Sequence, residues 1–171
     1  EQTRAGAEIL DVNVGLPDIN ETEMMHDAII ALQSITNAPL QIDSTNVEVL
    51  KKALRVYNGK PIVNSVNGEE ASLANILPLV KKYCAAVVGL TLDEKGIPAK
   101  AEERFAIAER IVNKATAIGI PKEDIIIDCL TLTASAEQKG VVETLKAIEM
   151  VKSRLGVKTV LGVSNISFGL P

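Results

Sequence analysis

The chain has 171 residues, 47% of them hydrophobic and 23% charged, which suits one folded domain with a sizeable core and is too apolar for a disordered chain. A formal net charge of -4 gives no long-range pull toward phosphate backbones, and with aromatic residues at 2% and no Lys/Arg-rich cluster nothing offers a nucleic-acid surface. No apolar stretch reaches the roughly 18 residues of a spanning helix, and the opening "EQTRAGAEIL" lacks the basic-then-apolar order of a secretion signal, so the expected setting is the cytoplasm without membrane association.

In chain order, the apolar run "EILDVNV" (8–14) precedes an amphipathic segment of helical length over 21–36, which holds the only histidine, His26. "PLQIDS" (39–44) leads into a second such segment over 46–57, and "PIVNSV" (61–66) into a third over 69–83. "AAVVGLTL" (85–92) is followed by 100–118, "DIIIDCL" (124–130) by 138–155, and "TVLGVSN" (159–165) comes last. Runs so continuously rich in Val, Ile and Leu read as strands buried on both faces. In "AEERFAIAERIVNKATAIG", Phe105, Ala108, Ile111, Val112 and Ala115 keep helical spacing, and Gly119 stands where a helix C-cap belongs. Strict strand-helix alternation without hairpin turns predicts parallel strands joined by right-handed crossovers, an α/β fold. No strand is followed by a G-x-G-x-x-G or G-x-x-x-x-G-K-[ST] loop, the usual marks of a doubly wound sheet.

Instead "DVNVG", "DSTN", "NSVN", "DCL" and "SN" put Asp, Asn and Ser at the C-terminal ends of five strands, where a (β/α)8 barrel gathers its active site. Position by position, helix capping is an equally natural use: Asp43, Ser44 or Thr45 for the helix near Asn46, Asn64 or Ser65 for the next. A carboxylate at the end of a buried strand loses solvation and needs a hydrogen-bond partner or a donor-bearing ligand. Carboxylates and amides with no Lys or Arg among them describe a site for a neutral ligand rich in N–H donors, such as the aminopyrimidinone edge of a pterin or guanine-like ring. Cys84 and Cys129 read as small buried apolar residues, His26 as a surface or helix-packing residue, and no metal site is expected.

The blocks "GAEILDVNVG", "LQIDSTN", "PIVNSVNGEE", "VVGLTLDEKGIP", "DIIIDCLTL" and "TVLGVSNISFGLP" occur in order along essentially the whole chain. Together they closely resemble the pterin-binding methyltransferase family, which comprises the methyltetrahydrofolate domain of cobalamin-dependent methionine synthase and the methyltetrahydrofolate:corrinoid/iron-sulfur protein methyltransferases. The resemblance implies a (β/α)8 TIM barrel that takes a methyl group from 5-methyltetrahydrofolate, the acceptor being a corrinoid (cobalamin) on another domain or protein. Carried over by motif, Asp43, Asn64 and Asp128 hold the pterin ring, and Asn165 approaches its N5, so that Asn165 and Asp43 carry the catalysis. Asp11 and Asn13 support them. The family commonly has Asp-Pro where this chain has Asp128-Cys129, which leaves open whether Cys129 lines the pocket or packs beneath it. Dihydropteroate synthase shares the pterin pocket but uses basic residues after the last of these strands, and "VSNISFGLP" has no Lys or Arg.

A whole barrel takes roughly 250 residues. The expectation is therefore a partial barrel over 1–171 with strands two to seven of eight, its sheet edges near 9–14 and 159–165 unpartnered. The alternative expectation is a catalytically silent piece of the same enzyme, paired edge to edge with a second copy.

Overall fold

The Val-, Ile- and Leu-rich runs form six strands and the segments between them five α-helices in a computed structural model that describes residues 1–131 and 138–164. In chain order they are β1 (Leu10–Asn13), α1 (Glu21–Ile35), β2 (Leu40–Asp43), α2 (Val47–Val56), β3 (Ile62–Asn67) and α3 (Glu70–Lys82). Then come β4 (Ala86–Leu90), α4 (Ala101–Ala117), β5 (Ile125–Asp128), α5 (Gln138–Met150, continued by a π-helical turn Val151–Leu155) and β6 (Lys158–Val160). The helices begin and end where local chemistry satisfies their free backbone groups. Asn20 accepts from the Glu23 N–H at 3.3 Å ahead of α1, and Gly119, at φ 84°, turns the chain after α4 as expected.

All strands are parallel, and their spatial order is their chain order, β1-β2-β3-β4-β5-β6. A doubly wound sheet reverses its order at a switch point, and this one never does. With right-handed crossovers and no reversal, every helix falls on the same face of the sheet. That is the plan of a (β/α)8 barrel, of which six strands are described.

The core lies between that face and the helices. Val12, Ile42, Val63, Val87, Ile125 and Ile127 are buried there against Met25, Ile29, Leu50, Leu77 and Ile111. Each such side chain contributes about 1.5–3 kcal/mol by leaving water. Among the described residues no helix is long and apolar enough to cross a membrane.

The structure corrects the expectation that all strands are buried on both faces. Only β3 and β4 approach it; β1 buries Val12 alone, and in β6 Lys158 and Val160 are exposed. One-sided helix cover is the reason, since half the residues of each strand point away from the helices. β6 is also shorter than the expected 159–165, ending at Val160, and Asn165 lies outside the described residues. Cys84 is exposed, not buried: it follows α3 at φ 51°, in the turn that leads into β4. His26 packs at the helix surface with Nδ1 2.9 Å from Asp27 Oδ1.

One tight approach holds the upper layer together. The Gly68 N–H donates to Leu92 O at 2.7 Å, and a Cβ at position 68 would lie 2.6 Å from Ile107 Cγ2 and 2.9 Å from that same carbonyl. Gly68→Ala is therefore expected to destabilise the chain by about 1–3 kcal/mol, read as a lower urea midpoint with an unchanged slope.

Candidate functional site

Successive residues of a strand face opposite sides, and residues paired across parallel strands face the same side. The register pairs Asn13 with Asp43 and Asp43 with Asn64, so these three stand side by side at the C-terminal ends of β1, β2 and β3. They are out of step with the buried Val12, Ile42 and Val63, and so occupy the face opposite the helices. One layer below, Asp11 is paired with Gln41. Asn64 is paired with Val88 and Val88 with Ile126, which puts Asp128, two residues further along β5, on this same face one layer nearer the mouth. Five of the six residues singled out by sequence thus share one surface; the sixth, Asn165, is outside the described residues.

Helix capping does not consume Asp43 or Asn64. Asn46 caps α2 by accepting from the Glu48 N–H at 3.0 Å, and Ser44 Oγ accepts from the Asn46 N–H at 3.1 Å. Ahead of α3, Asn67 Oδ1 accepts from the Glu69 N–H at 2.9 Å. Asp43 Oδ2 instead accepts from Asn13 Nδ2 at 3.0 Å, while Asn13 Oδ1 accepts from the Gly15 N–H at 3.0 Å. Gln41 Nε2 donates to Asp11 Oδ1 at 2.6 Å in the layer beneath. Asp128 gives one oxygen, Oδ1, to the Leu130 N–H at 2.7 Å. Among the described residues the Asn64 amide makes no side-chain hydrogen bond, and no Lys or Arg forms an ion pair with Asp11, Asp43 or Asp128.

These carboxyls are therefore short of positive charge. Burial pushes the Asp43 carboxyl above its ordinary value, opposed by the Asn13 hydrogen bond and reinforced by the charges of Asp11 and Glu21. Burial likewise raises Asp128, against the Leu130 N–H. Such a surface attracts N–H donors and repels phosphate. Among the described residues no group of three or more His, Cys, Asp or Glu is arranged to hold a metal ion. Cys129 falls in step with Ile125 and Ile127 on the helix-covered face and is fully buried, so it packs beneath the site. Burial beside Asp128 pushes its thiol up to about 12, which keeps it an inert thiol.

A cavity of about 370 Å³ opens between the turns after β2 and β3, lined by Thr45, Ser65, Asn67, Glu69, Asn75 and Leu90 among others. A larger one, about 560 Å³, is lined by Asp93, Lys95, Glu103 and Arg110 and by none of the carboxylate row. Sequence reasoning missed Arg104, buried to 1% exposure, whose guanidinium reaches the loops after β4 and β5. Its signal was present: position 104 lies three residues after Ala101 and four before Ala108, inside the apolar stripe of α4.

The sequence matches the family described as "Pterin binding enzyme" over residues 1–171. It is 39% identical to the methionine synthase of Mycobacterium leprae over 181 residues, covering 99% of this chain and 15% of that protein. It is 30% identical to the methylcorrinoid:tetrahydrofolate methyltransferase of Eubacterium limosum over 173 residues, 99% of this chain and 64% of that one. The fold is shared with dihydropteroate synthase of Xanthomonas albilineans in complex with 7,8-dihydropteroate, at a TM-score of 0.68 and 19% identity over 95% of this chain and 60% of that one. The chain thus spans less than two thirds of the length of each of these proteins.

The raised carboxyls make a stability prediction. A carboxyl whose folded pKa exceeds its unfolded value, ordinarily near 3.8, holds its proton more tightly when folded, so stability falls as pH rises from about that value through the folded one. Asp128→Asn keeps an oxygen for the Leu130 N–H and removes the charge. The variant is expected to match the parent chain near pH 3 and to unfold at higher denaturant at pH 7, measured by urea titration at the two pH values.

Proposed function

Because the chain belongs to the pterin binding enzyme family, we propose that the face opposite its helices holds the pterin ring of a folate. The reaction we propose moves the methyl group of 5-methyltetrahydrofolate from N5 to the cobalt of a corrinoid carried by another domain or protein. The observation that carries this reading is the row Asn13, Asp43 and Asn64 with Asp128 above it, facing one side, with the carboxyls of Asp43 and Asp128 partly desolvated. An ionised carboxylate takes two parallel charge-assisted hydrogen bonds from a ring N–H and its neighbouring amino group. The amides, with a donor and an acceptor each, suit the other ring nitrogens and the carbonyl. The names of the relatives, a methionine synthase and a methylcorrinoid:tetrahydrofolate methyltransferase, support methyl transfer as the chemistry.

A methylated N5 is a tertiary amine and a very poor leaving group, so it must gain a proton or a strong hydrogen bond before or during displacement. In the proposed mechanism Asp43, Asn64 and Asp128 fix the ring, while Asp11 and Asn13 brace Asp43. The proton comes from solvent. The negative field of the row stabilises positive charge at N5, and Asn165 accepts a hydrogen bond there without acting as the acid. The likeness to dihydropteroate synthase, at 19% identity, speaks to the fold alone. A chemistry that expels pyrophosphate calls for cations that "VSNISFGLP" lacks.

In a thermal-shift titration 5-methyltetrahydrofolate is expected to raise the melting temperature and dihydropterin pyrophosphate to leave it unchanged; the reverse order would overturn the reading. Asp128→Ala is expected to weaken folate binding about ten- to a hundredfold. Asn165→Ala should depress single-turnover transfer to free cob(I)alamin far more than it weakens binding. Equal losses in both quantities from both changes would contradict these roles.

A further inference from the structure

Among the described residues Arg104 is the largest fully buried side chain, at 1% exposure, and its contacts converge on the segment that follows Asp128. Nε donates to Pro98 O in the loop after β4 at 2.8 Å. Nη1 donates to Cys129 O at 3.1 Å, to Leu130 O at 2.9 Å and to Thr144 Oγ1 on α5 at 2.7 Å. Thr144 Oγ1 in turn lies 2.9 Å from Leu130 O and 3.0 Å from Gly140 O, two carbonyls that share its single proton. On its other side the Leu130 N–H donates to Asp128 Oδ1 at 2.7 Å. Leu130 is therefore gripped at its carbonyl by a buried cation and turned at its amide toward the carboxylate.

The grip answers a backbone need. Leu130 has φ 56°, a left-handed conformation that a branched L side chain rarely adopts. A guanidinium taken out of water also costs far more than a Leu or Met of similar size, so packing alone does not account for it. Its planar fork can hold several carbonyls in fixed directions, which an apolar side chain cannot.

We propose that Arg104 is a positioning residue for Asp128: by holding the Cys129 and Leu130 carbonyls it sets the Leu130 N–H, and through it aims the Asp128 carboxylate at the face that binds the pterin. This rests on the pterin reading above. Arg104 does not touch the ligand; it acts through Leu130 and Asp128.

The test is a double-mutant cycle on the affinity for 5-methyltetrahydrofolate, by calorimetric titration, with Arg104→Lys, Asp128→Ala, which removes the acceptor of the Leu130 N–H, and the pair together. Arg104→Lys alone is expected to weaken binding about tenfold, and to cost nothing further in the Asp128→Ala background. Amide hydrogen exchange on the unliganded chain gives a second readout: Leu130 should exchange faster in Arg104→Lys while Val87 and Val88 in β4 keep their protection. Equal losses in both backgrounds, or unchanged affinity with unchanged exchange at Leu130, would overturn the proposal while leaving the pterin reading intact. An unaltered affinity in Asp128→Ala would overturn the pterin reading instead, and faster exchange at Leu130 in Arg104→Lys would then still support the positioning. Should Arg104→Lys not fold, Thr144→Val removes one partner of the same grip and is expected to follow the same pattern with a loss of a few-fold; additive losses there overturn the proposal too.

Discussion

Handedness is the constraint on which the rest of this structure depends. Each connection runs from a strand through a helix to the next parallel strand, and right-handed crossovers in an order that never reverses put all of the helices on one face. Apolar contact is concentrated there, where Ile42, Val63, Val87 and Ile125 meet the helices. The other face of β1 and β2 is released from packing. Strand residues of the opposite parity can therefore be Asp11, Asn13, Gln41 and Asp43 without opening a hole in the core, and the register lines them up in layers. The polar surface follows from the same topology that builds the hydrophobic one.

A division of labour at the strand ends keeps that surface available. A turn from strand into helix needs acceptors for the first free N–H groups of the helix, and a nearby Asp or Asn is the usual supplier. Here Ser44 and Asn46 serve α2, and Asn67 serves the turn into α3. Asp43 and Asn64 stand just ahead of those residues and are spared. Asp128 is a mixed case, with Oδ1 engaged by its own turn through Leu130. That bond is also the point at which the buried Arg104 bears on the site.

Those features visible in sequence are the ones set by neighbours along the chain. Apolar runs of six to eight residues and the i, i+3, i+4 stripe of α4 are local patterns, and the elements formed close to where they predict. So is the clustering of Asp and Asn at strand ends. Burial on both faces was misread because it depends on whether helices cover one side of the sheet or two, which no single run encodes. Cys84 was misread because a turn position looks apolar when taken with the flanking Tyr83 and Ala85. Arg104 was passed over for a related reason: apart from Pro98, the acceptors described for it are 25 and 26 residues away in the loop after β5 and 40 away on α5, and only the fold brings them together. Which acceptors are left free is also non-local, since it depends on the register that pairs Asn13 with Asp43 across two strands.

Why the end of β2 is acidic can then be argued from cost. If capping were its purpose, a neutral Asn at position 43 would serve as well, and Asn46 already does that work. An ionised carboxyl there is opposed by burial and by the nearby charges of Asp11 and Glu21, with one amide from Asn13 in compensation. The unliganded protein gains nothing from the charge. A ring that presents adjacent N–H donors would return to Asp43 and Asp128 the hydrogen bonds that burial removed, and would exchange water's weak competition for fixed geometry. Under the proposed function, the interaction that is unfavourable in the empty site becomes the one that orients the bound ring and steadies positive charge at N5. A site built this way gives up some stability of the folded chain in return for a field already in place when the substrate arrives.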